Sequence, residues 1–557
     1  MTAIDRNETG AEAFLPFAIT LDVGSSLENE TGSWRSERPV YMDLLPPCNR
    51  ACPAGENIQQ WLYHAEEGHY EEAWREIMVN NPLPAIMGRV CYHDCQVACN
   101  RSKVDEAVGI NAIERFLGDK ALSEGWTVPV TAEPTGKRVL VVGSGPSGLS
   151  AAYHLTLLGH SVTVRDQGEK AGGMMRYGIP SYRLPRGILD SEIERIEKMG
   201  VKFEQGVQVD SLEDALGEFD AVFLAVGAQL GKNVAIPAGD AKNIVDAVDM
   251  LRSVEEEGDA ADGDKPLLGR RVVVYGGGNT AVDAARSAKR LGARESVILY
   301  RRTREQMPAH DFEVQEAEEE GIQLRWLSTI KSAENKGTIK IEKMELDENG
   351  FPQPTGEYEE LEADAVVLAV GQEADLGLLN GLEGIEVEKG VVKVDQHMMT
   401  GHAGVFAGGD MIPKDKNVTE AIGHGKKAAR NIDAWLRGSE YVPEEKPMEA
   451  SIDRMTTWYY SDAPQQVREK LEGPRRASTF DEVVKGLDEE SAIFEARRCM
   501  SCGNCFGCDN CFGVCPDNAV LKIKPGEYEF KYDYCKGCGV CAEECPCGCI
   551  EMIPEEI

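Results

Sequence analysis

The sequence predicts an α/β chain of several domains, with two parallel-sheet units in its middle and cysteine-rich segments towards both ends. Three observations carry that reading. A strand–glycine–helix–strand pattern occurs at PTGKRVLVVGSGPSGLSAAYHLTLLGHSVTVRD and again, about 130 residues later, at GRRVVVYGGGNTAVDAARSAKRLGARESVILYRR. Of 17 cysteines, five lie between Cys48 and Cys99 and twelve between Cys499 and Cys549, with none between the groups. The 557 residues, 42% of them hydrophobic, are enough for about three to five domains, each with its own core.

Composition excludes some partners. With 59 Lys+Arg against 95 Asp+Glu, the net charge of −36 opposes both nucleic-acid phosphates and anionic lipid. The start, MTAIDRNETGAEAF, has neither the basic nor the apolar region of a secretion signal. No run of about 18 apolar residues is present, so membrane insertion is not expected. We therefore expect a cytoplasmic chain, in which dense cysteine serves metal ligation or redox chemistry.

The elements follow in order. Residues 1–40 are polar and aperiodic and read as an arm. Residues 55–80 and Asn111–Ala121 place apolar residues at helical spacing, so the cysteine-bearing region 41–130 is mainly helical. The first glycine fingerprint then opens a dinucleotide-binding segment over 136–268, which ends in the acidic loop 254–264 (VEEEGDAADGD). The second fingerprint opens 269–365. Residues 366–437 return to the first unit, 438–498 form a charged linker with some helix, and 499–557 form the cysteine-rich tail.

The first fingerprint is Gly143-Ser-Gly145-Pro146-Ser147-Gly148, after the strand RVLVV. Its glycines allow a tight turn, close approach of backbone to a pyrophosphate, and helix–strand packing. The helix that follows offers free N–H groups to the phosphates. The next strand ends in Asp166, where a ribose-binding carboxylate is expected. The second fingerprint is Gly276-Gly-Gly278-Asn279-Thr280-Ala281. Its next strand ends in Arg301-Arg302, with Arg304 nearby. Arginines attract a 2′-phosphate that an acid would repel, so NADPH is expected in preference to NADH.

Two further strand-to-glycine segments end at Gly227 and Gly371. GVFAGGD then brings Gly409 and Asp410, whose carboxylate suits a ribityl hydroxyl of a flavin. The helix beginning near Thr419 would offer its N-terminus to the flavin ring. Flavin is thus expected on two separated stretches, with the nicotinamide unit inserted between them.

The motif order resembles the small (beta) subunit family of NADPH-dependent glutamate synthase. The residues that carry the resemblance are CNRACP (48–53), GRVC (88–91), INAIERF (110–116), GSGPSG (143–148), GGMMRYGIPSYRLP (172–185), GGGNTAVD (276–283), YRR with MPA (300–309), VGQ (370–372) and GVFAGGD (404–410). The resemblance implies two interleaved Rossmann-type domains, for FAD and NADPH, behind a helical iron–sulfur domain. It implies hydride transfer from NADPH to FAD and single electrons onward to [4Fe–4S] clusters. It also adds Gly173 and Arg183 to the expected cofactor contacts.

Relatives carry more cysteines at the N-terminus and hold two clusters there. Here Leu44-Leu45-Pro46-Pro47 and Met87 stand at positions where cysteine is frequent, so one cluster is expected. Its ligands come from Cys48, Cys52, Cys91, Cys95 and Cys99. Some relatives use a carboxylate or amide as fourth ligand, which makes Glu114 a candidate beside Cys52, Cys91 and Cys95; four of the five cysteines are the alternative.

At the other end, Cys505-x2-Cys508-x2-Cys511-x3-Cys515-Pro and Cys535-x2-Cys538-x2-Cys541-x3-Cys545-Pro are two bacterial-ferredoxin runs. In that arrangement the fourth cysteine of each run ligates the other cluster. One cluster is therefore expected on Cys505, Cys508, Cys511 and Cys545, the other on Cys535, Cys538, Cys541 and Cys515, in an α+β ferredoxin-like domain. Cys499, Cys502, Cys547 and Cys549 are surplus. Three clusters give an expected total of about 12 iron per FAD.

The function expected is that of an iron–sulfur flavoprotein moving electrons between NAD(P)H and a protein acceptor or donor, as a subunit of a larger complex. Relatives with the ferredoxin tail serve sulfite reductase or 2-oxoacid oxidoreductases. The alternatives are the glutamate synthase small subunit itself and, in another class, a non-catalytic assembly subunit. No acid–base pair stands out, so no catalytic residue is assigned. No cysteine pair adjoins the flavin motifs in sequence, which argues against a disulfide-reductase mechanism.

Overall fold

The computed structural model describes residues 30–232, 244–256, 268–335 and 337–555. Residues 1–29 of the expected arm and most of the acidic loop 254–264 lie outside them.

The first sheet is all parallel. Its strands run Val405–Ala407, Ala221–Leu224, Arg138–Val142, Ser161–Asp166, Lys202–Gln205 across the sheet. After the exposed Arg138, VLVV is a continuous apolar run because both faces of a parallel sheet are covered. One cover is the pair of helices Pro146–Leu157 and Val418–Leu436, which pack on each other although about 270 residues separate them. The last strand to be made lies beside the fourth, Ala221–Leu224, so the second sheet, which lies between them in the chain, is an insertion.

The insertion carries the second parallel sheet: Gln323–Arg325, Glu295–Leu299, Arg271–Tyr275, Ala365–Leu368, Ile244–Asp246. An antiparallel meander, Ser328–Asn335, Thr338–Leu346 and Pro352–Glu362, covers it through Ile330, Ile339 and Ile341. This shifts the expected boundaries. Ile244–Asp246 and the helix Ala247–Glu256 belong with the second sheet, and Ala365–Leu368 lies inside it. The crossing is marked by the short pair Leu230–Gly231 and Gln372–Glu373. A three-residue strand followed by charged residues has no period to announce it, which is why the sequence places the boundary later.

The N-terminal helices Ile58–Glu66, Tyr70–Met78, Pro84–Val90 and Ile110–Glu124 close around the fully buried Trp61 and Trp74. Residues 438–498, expected as a linker, are a packed strap. Arg468 donates to Gly88 O at 3.2 Å and Asn111 Oδ1 at 3.1 Å. The helix Glu489–Ala496 packs on Ile58–Glu66 and Ile110–Glu124.

The tail holds the hairpin Val520–Lys524/Glu527–Phe530 and two short helices, Asn510–Val514 and Val540–Glu543. Its last strand, Ile550–Pro554, pairs antiparallel with Glu37–Tyr41, from Glu37↔Pro554 to Tyr41↔Ile550. The end of the expected arm is therefore a strand. Among the described residues no helix is long and apolar enough to cross a membrane.

Candidate functional site

Both glycine turns open on one cavity of about 1080 Å³. From the first sheet it is lined by Gly143, Gly145, Pro146, Ser147 and Asp166, with Gly173 and Gly227 beside them. Gly173 has φ +52°, and a Cβ there would stand 2.7 Å from Gly145 Cα, so the two glycines keep this wall open for a bulky group. Ser147 Oγ is buried without a partner. Asp166 is held rigidly: Oδ2 accepts from Ser144 N at 2.6 Å and Oγ at 2.7 Å, and Oδ1 accepts from Gly168 N at 2.7 Å. Gly148 lies behind the turn; a Cβ on it would meet Gly143 O at 1.9 Å.

Gly371, Gly409 and Asp410 line the opposite wall. Burial pushes the Asp410 carboxyl up to about 6, with Lys416 pulling the other way. His424 Nδ1 accepts from Gly409 N at 3.2 Å and fixes that turn. Asn417 caps the helix Val418–Leu436 by accepting from Glu420 N, so the helix N-terminus is aimed at the cavity. Thr419 does not face it: its Oγ1 donates to Cys91 Sγ at 3.3 Å.

On the nicotinamide side the lining comprises Gly276, Gly278, Asn279, Thr280, Arg301 and Arg302. Arg302 Nε is buried and unpaired, a donor with no acceptor among the described residues. Ala281 is wholly buried in the core of this unit. Arg183 reaches the cavity wall, but its guanidinium is committed elsewhere, to Asp283 at 2.7 Å and Glu313 at 2.5 Å. It therefore braces the two units against each other. The unpaired Ser147 and Arg302, with the open glycine wall, fit two dinucleotides, the second with a 2′-phosphate.

The five N-terminal cysteines do not converge on one point. Cys52, Cys91 and Cys95 gather with Glu114. Burial pushes these thiols up, Cys91 to about 12, and the Glu114 carboxylate raises each further. Glu114 is itself held well above the carboxylate range by burial and by Glu56. Asn81 Nδ2 donates to both acids, at 2.8 and 2.9 Å. So many buried acidic donors, with the Lys426 ammonium the cation beside Cys52 and Glu56, fit a positively charged metal centre, which would deprotonate the thiols. Cys48 and Cys99 turn away, towards Cys499 and Cys502.

In the tail, Cys505, Cys508, Cys511 and Cys545 line one small cavity, with Cys547 and Cys549 at its edge. Cys545 Sγ lies 3.7 Å from Cys547 Sγ and 3.6 Å from Cys549 Sγ. Tyr41 Oη lies 3.3 Å from Cys511 Sγ. Cys515, Cys535, Cys538 and Cys541 form the second group, each of the first three raising the Cys541 thiol. Cys505, Cys508 and Cys538 are exposed.

Two residues escaped the sequence reading. Tyr92, next to Cys91, lines the cavity, accepts from Asn279 Nδ2 at 2.7 Å and stacks on His310 with ring centroids 3.8 Å apart. Lys426, buried on the flavin-side helix, donates to Asn80 Oδ1 at 2.9 Å beside Cys52; burial pushes it down to about 8. Tyr92 had a signal, its place between two cysteines of one group; Lys426 had none.

A family model described as pyridine nucleotide-disulphide oxidoreductase matches residues 137–425, and one described as dihydropyrimidine dehydrogenase domain II, 4Fe-4S cluster, matches residues 26–126. The chain is 36% identical over 508 residues to the NADP(+)-dependent formate dehydrogenase subunit beta of Moorella thermoacetica, covering 82% of this chain and 71% of that one. It is 33% identical over 509 residues to the NADPH-Fe(3+) oxidoreductase subunit beta of Geobacter sulfurreducens, covering 82% and 75%. It is 33% identical over 418 residues to the glutamate synthase [NADPH] small chain of Escherichia coli K12, covering 70% and 89%.

Proposed function

This chain belongs to the pyridine nucleotide-disulphide oxidoreductase family and is an FAD- and NADP-binding iron–sulfur oxidoreductase; from that premise we propose that it moves electrons between NADPH and a protein partner, as one subunit of a complex. The observation that supports this best is the shared cavity with a cysteine group at its wall. Val90 and Tyr92 line that cavity on either side of Cys91. When bound, NADPH supplies a hydride, FAD links two-electron to one-electron traffic, and the clusters carry single electrons.

The chain's own residues bind and orient. Arg301 and Arg302 take the 2′-phosphate, and Asn279, held by Tyr92, positions the second fingerprint. Gly145 and Ser147 open the first helix to the pyrophosphate, Asp166 holds the ribose, and Asp410 the ribityl chain. Cys52, Cys91, Cys95 and Glu114 hold the cluster nearest the cavity. The exposed cysteines of the tail put its clusters within a partner's reach.

The partner is of the kind named in the formate dehydrogenase and NADPH–Fe(3+) oxidoreductase relatives, a second subunit that supplies or accepts electrons. A role as glutamate synthase small chain is the second reading. The shorter match, 70% of this chain against 82%, favours the first. Anaerobically purified protein is expected to show flavin absorbance and NADPH-dependent dye reduction. Colourless protein that oxidises no NADPH would overturn the reading.

A further inference from the structure

Four cysteines that no ferredoxin run uses meet in one place. Cys48 and Cys99 from the N-terminal domain and Cys499 and Cys502 from the start of the tail line a small cavity of about 20 Å³. We propose that these four thiolates hold a further [4Fe–4S] cluster, with a ligand set split between the two ends of the chain.

Several observations converge on it. Burial pushes the Cys48 thiol well above its usual range, and the sulfurs of Cys499, Cys99 and Cys502 raise it further. Half-buried Cys499 and Cys502 are pushed up in the same way, Cys502 to about 11; Cys502 and Cys99 raise Cys499, and Cys99 raises Cys502. Four thiols sharing the wall of one small cavity, Cys48 buried and the other three half-buried, are a donor set for a metal. Arg498, buried beside Cys99, is already paired with Glu495 at 2.6 Å and Asp105 at 3.2 Å. It moderates the negative charge of a thiolate cluster without replacing the metal.

The spacing selects the kind of metal. Thiolates on one tetrahedral zinc, with bonds of about 2.3 Å, stand about 3.8 Å apart. No three of these four sulfurs lie within 4.8 Å of one another; the cysteine trio that does is Cys545, Cys547 and Cys549. That spread suits a cluster, whose thiolates bind separate irons, better than one tetrahedral ion. The two ends of the chain are tied together around them: Gln59 Nε2 donates to Ser501 Oγ at 3.2 Å, and Leu44 N to Gly503 O at 3.1 Å.

The position gives the cluster a task, which rests on the electron-transfer reading above. Cys48 is one helical turn before Cys52, and its sulfur raises that of Cys95 in the first cluster group. On the other side, the Tyr460 hydroxyl lies among Cys499 and Cys502 and also among Cys547 and Cys508 of the tail. The site stands between the cavity-side cluster and the ferredoxin pair. A cluster held there would let the two electrons of an NADPH pass singly between the two ends of the chain.

The test is iron and acid-labile sulfide per FAD in the anaerobically purified chain, which needs no variant to fold. About 16 iron per FAD is expected, and about 12, with or without zinc, would overturn the proposal. Cys48→Ser/Cys99→Ser and Cys499→Ser/Cys502→Ser are each expected to keep FAD and lose the same roughly four iron, and so is the quadruple variant. Iron unchanged in either pair, or losses that add to about eight, would also overturn it. Wild-type protein with about 16 iron and no NADPH oxidation would leave the site standing and remove the electron-transfer reading instead.

Discussion

Asp410 is a carboxyl raised to about 6 at a cavity wall where its ionised form is the one that accepts a hydrogen bond from a ribityl hydroxyl. Protonation therefore competes with FAD. FAD retention is expected to be full at neutral pH and to fall as pH drops through about 6, measured by flavin released on gel filtration. In Asp410→Asn that dependence should vanish and retention be weaker throughout. Arg302, with its unpaired Nε, carries the second prediction at this scale. Loss of one charge-assisted bond of about 1.5–3 kcal/mol in Arg302→Gln should raise KM for NADPH roughly 10- to 150-fold with KM for NADH little changed. These residues were legible because fingerprint chemistry is local in the chain. For Arg183 the motif marks the place, at the cavity wall, but not the ion-pair partners: Asp283 and Glu313 arrive from other elements.

At the scale of elements, the strand Glu37–Tyr41 meets the tail closely. Gly537 has φ +73°, and a Cβ on it would stand 2.2 Å from Glu37 O. Gly537→Ala is expected to cost about 1–3 kcal/mol of stability and to push this strand away. Earlier thermal unfolding and faster proteolysis at residues 30–41 would show it. The helices and the two βαβ units were read correctly from periodicity, because a helix or a buried strand records its environment in its own residues. ERPVY does not. It carries a proline, tolerated in a two-stranded pair with a free edge, and its partner is about 510 residues away. Ile244–Asp246 is hidden for the same reason, since its place is set by Ala365–Leu368.

At the scale of the whole molecule, the strap and tail are tied to the N-terminal domain at Asp105. Arg101 donates to it through Nε at 2.7 Å and Nη2 at 2.6 Å, Arg498 through Nη2 at 3.2 Å, and Ala463 N at 2.9 Å. Arg101 holds this carboxyl well below the usual carboxylate range. Asp105→Asn leaves two buried arginines without their shared counter-charge. It is expected to cost about 1.5–3 kcal/mol, seen as a lower unfolding midpoint and readier cleavage within 438–498. None of this was legible, since a charged, Pro-containing stretch looks the same whether it is free or strapped down. The surplus of Cys499 and Cys502 was the one trace in the sequence of the closure between the ends.

That closure sets an order of manufacture. The residues that pair with Glu37–Tyr41 leave the ribosome about 510 residues later. At about 5–20 residues per second the first strand waits roughly 25–100 s for its mate. Meanwhile the N-terminal thiols are made, and two of their neighbours in space are not. Metal loading at the junction of the two ends is therefore a post-translational event, and a nascent chain released early would present an open, thiol-lined face to the cell.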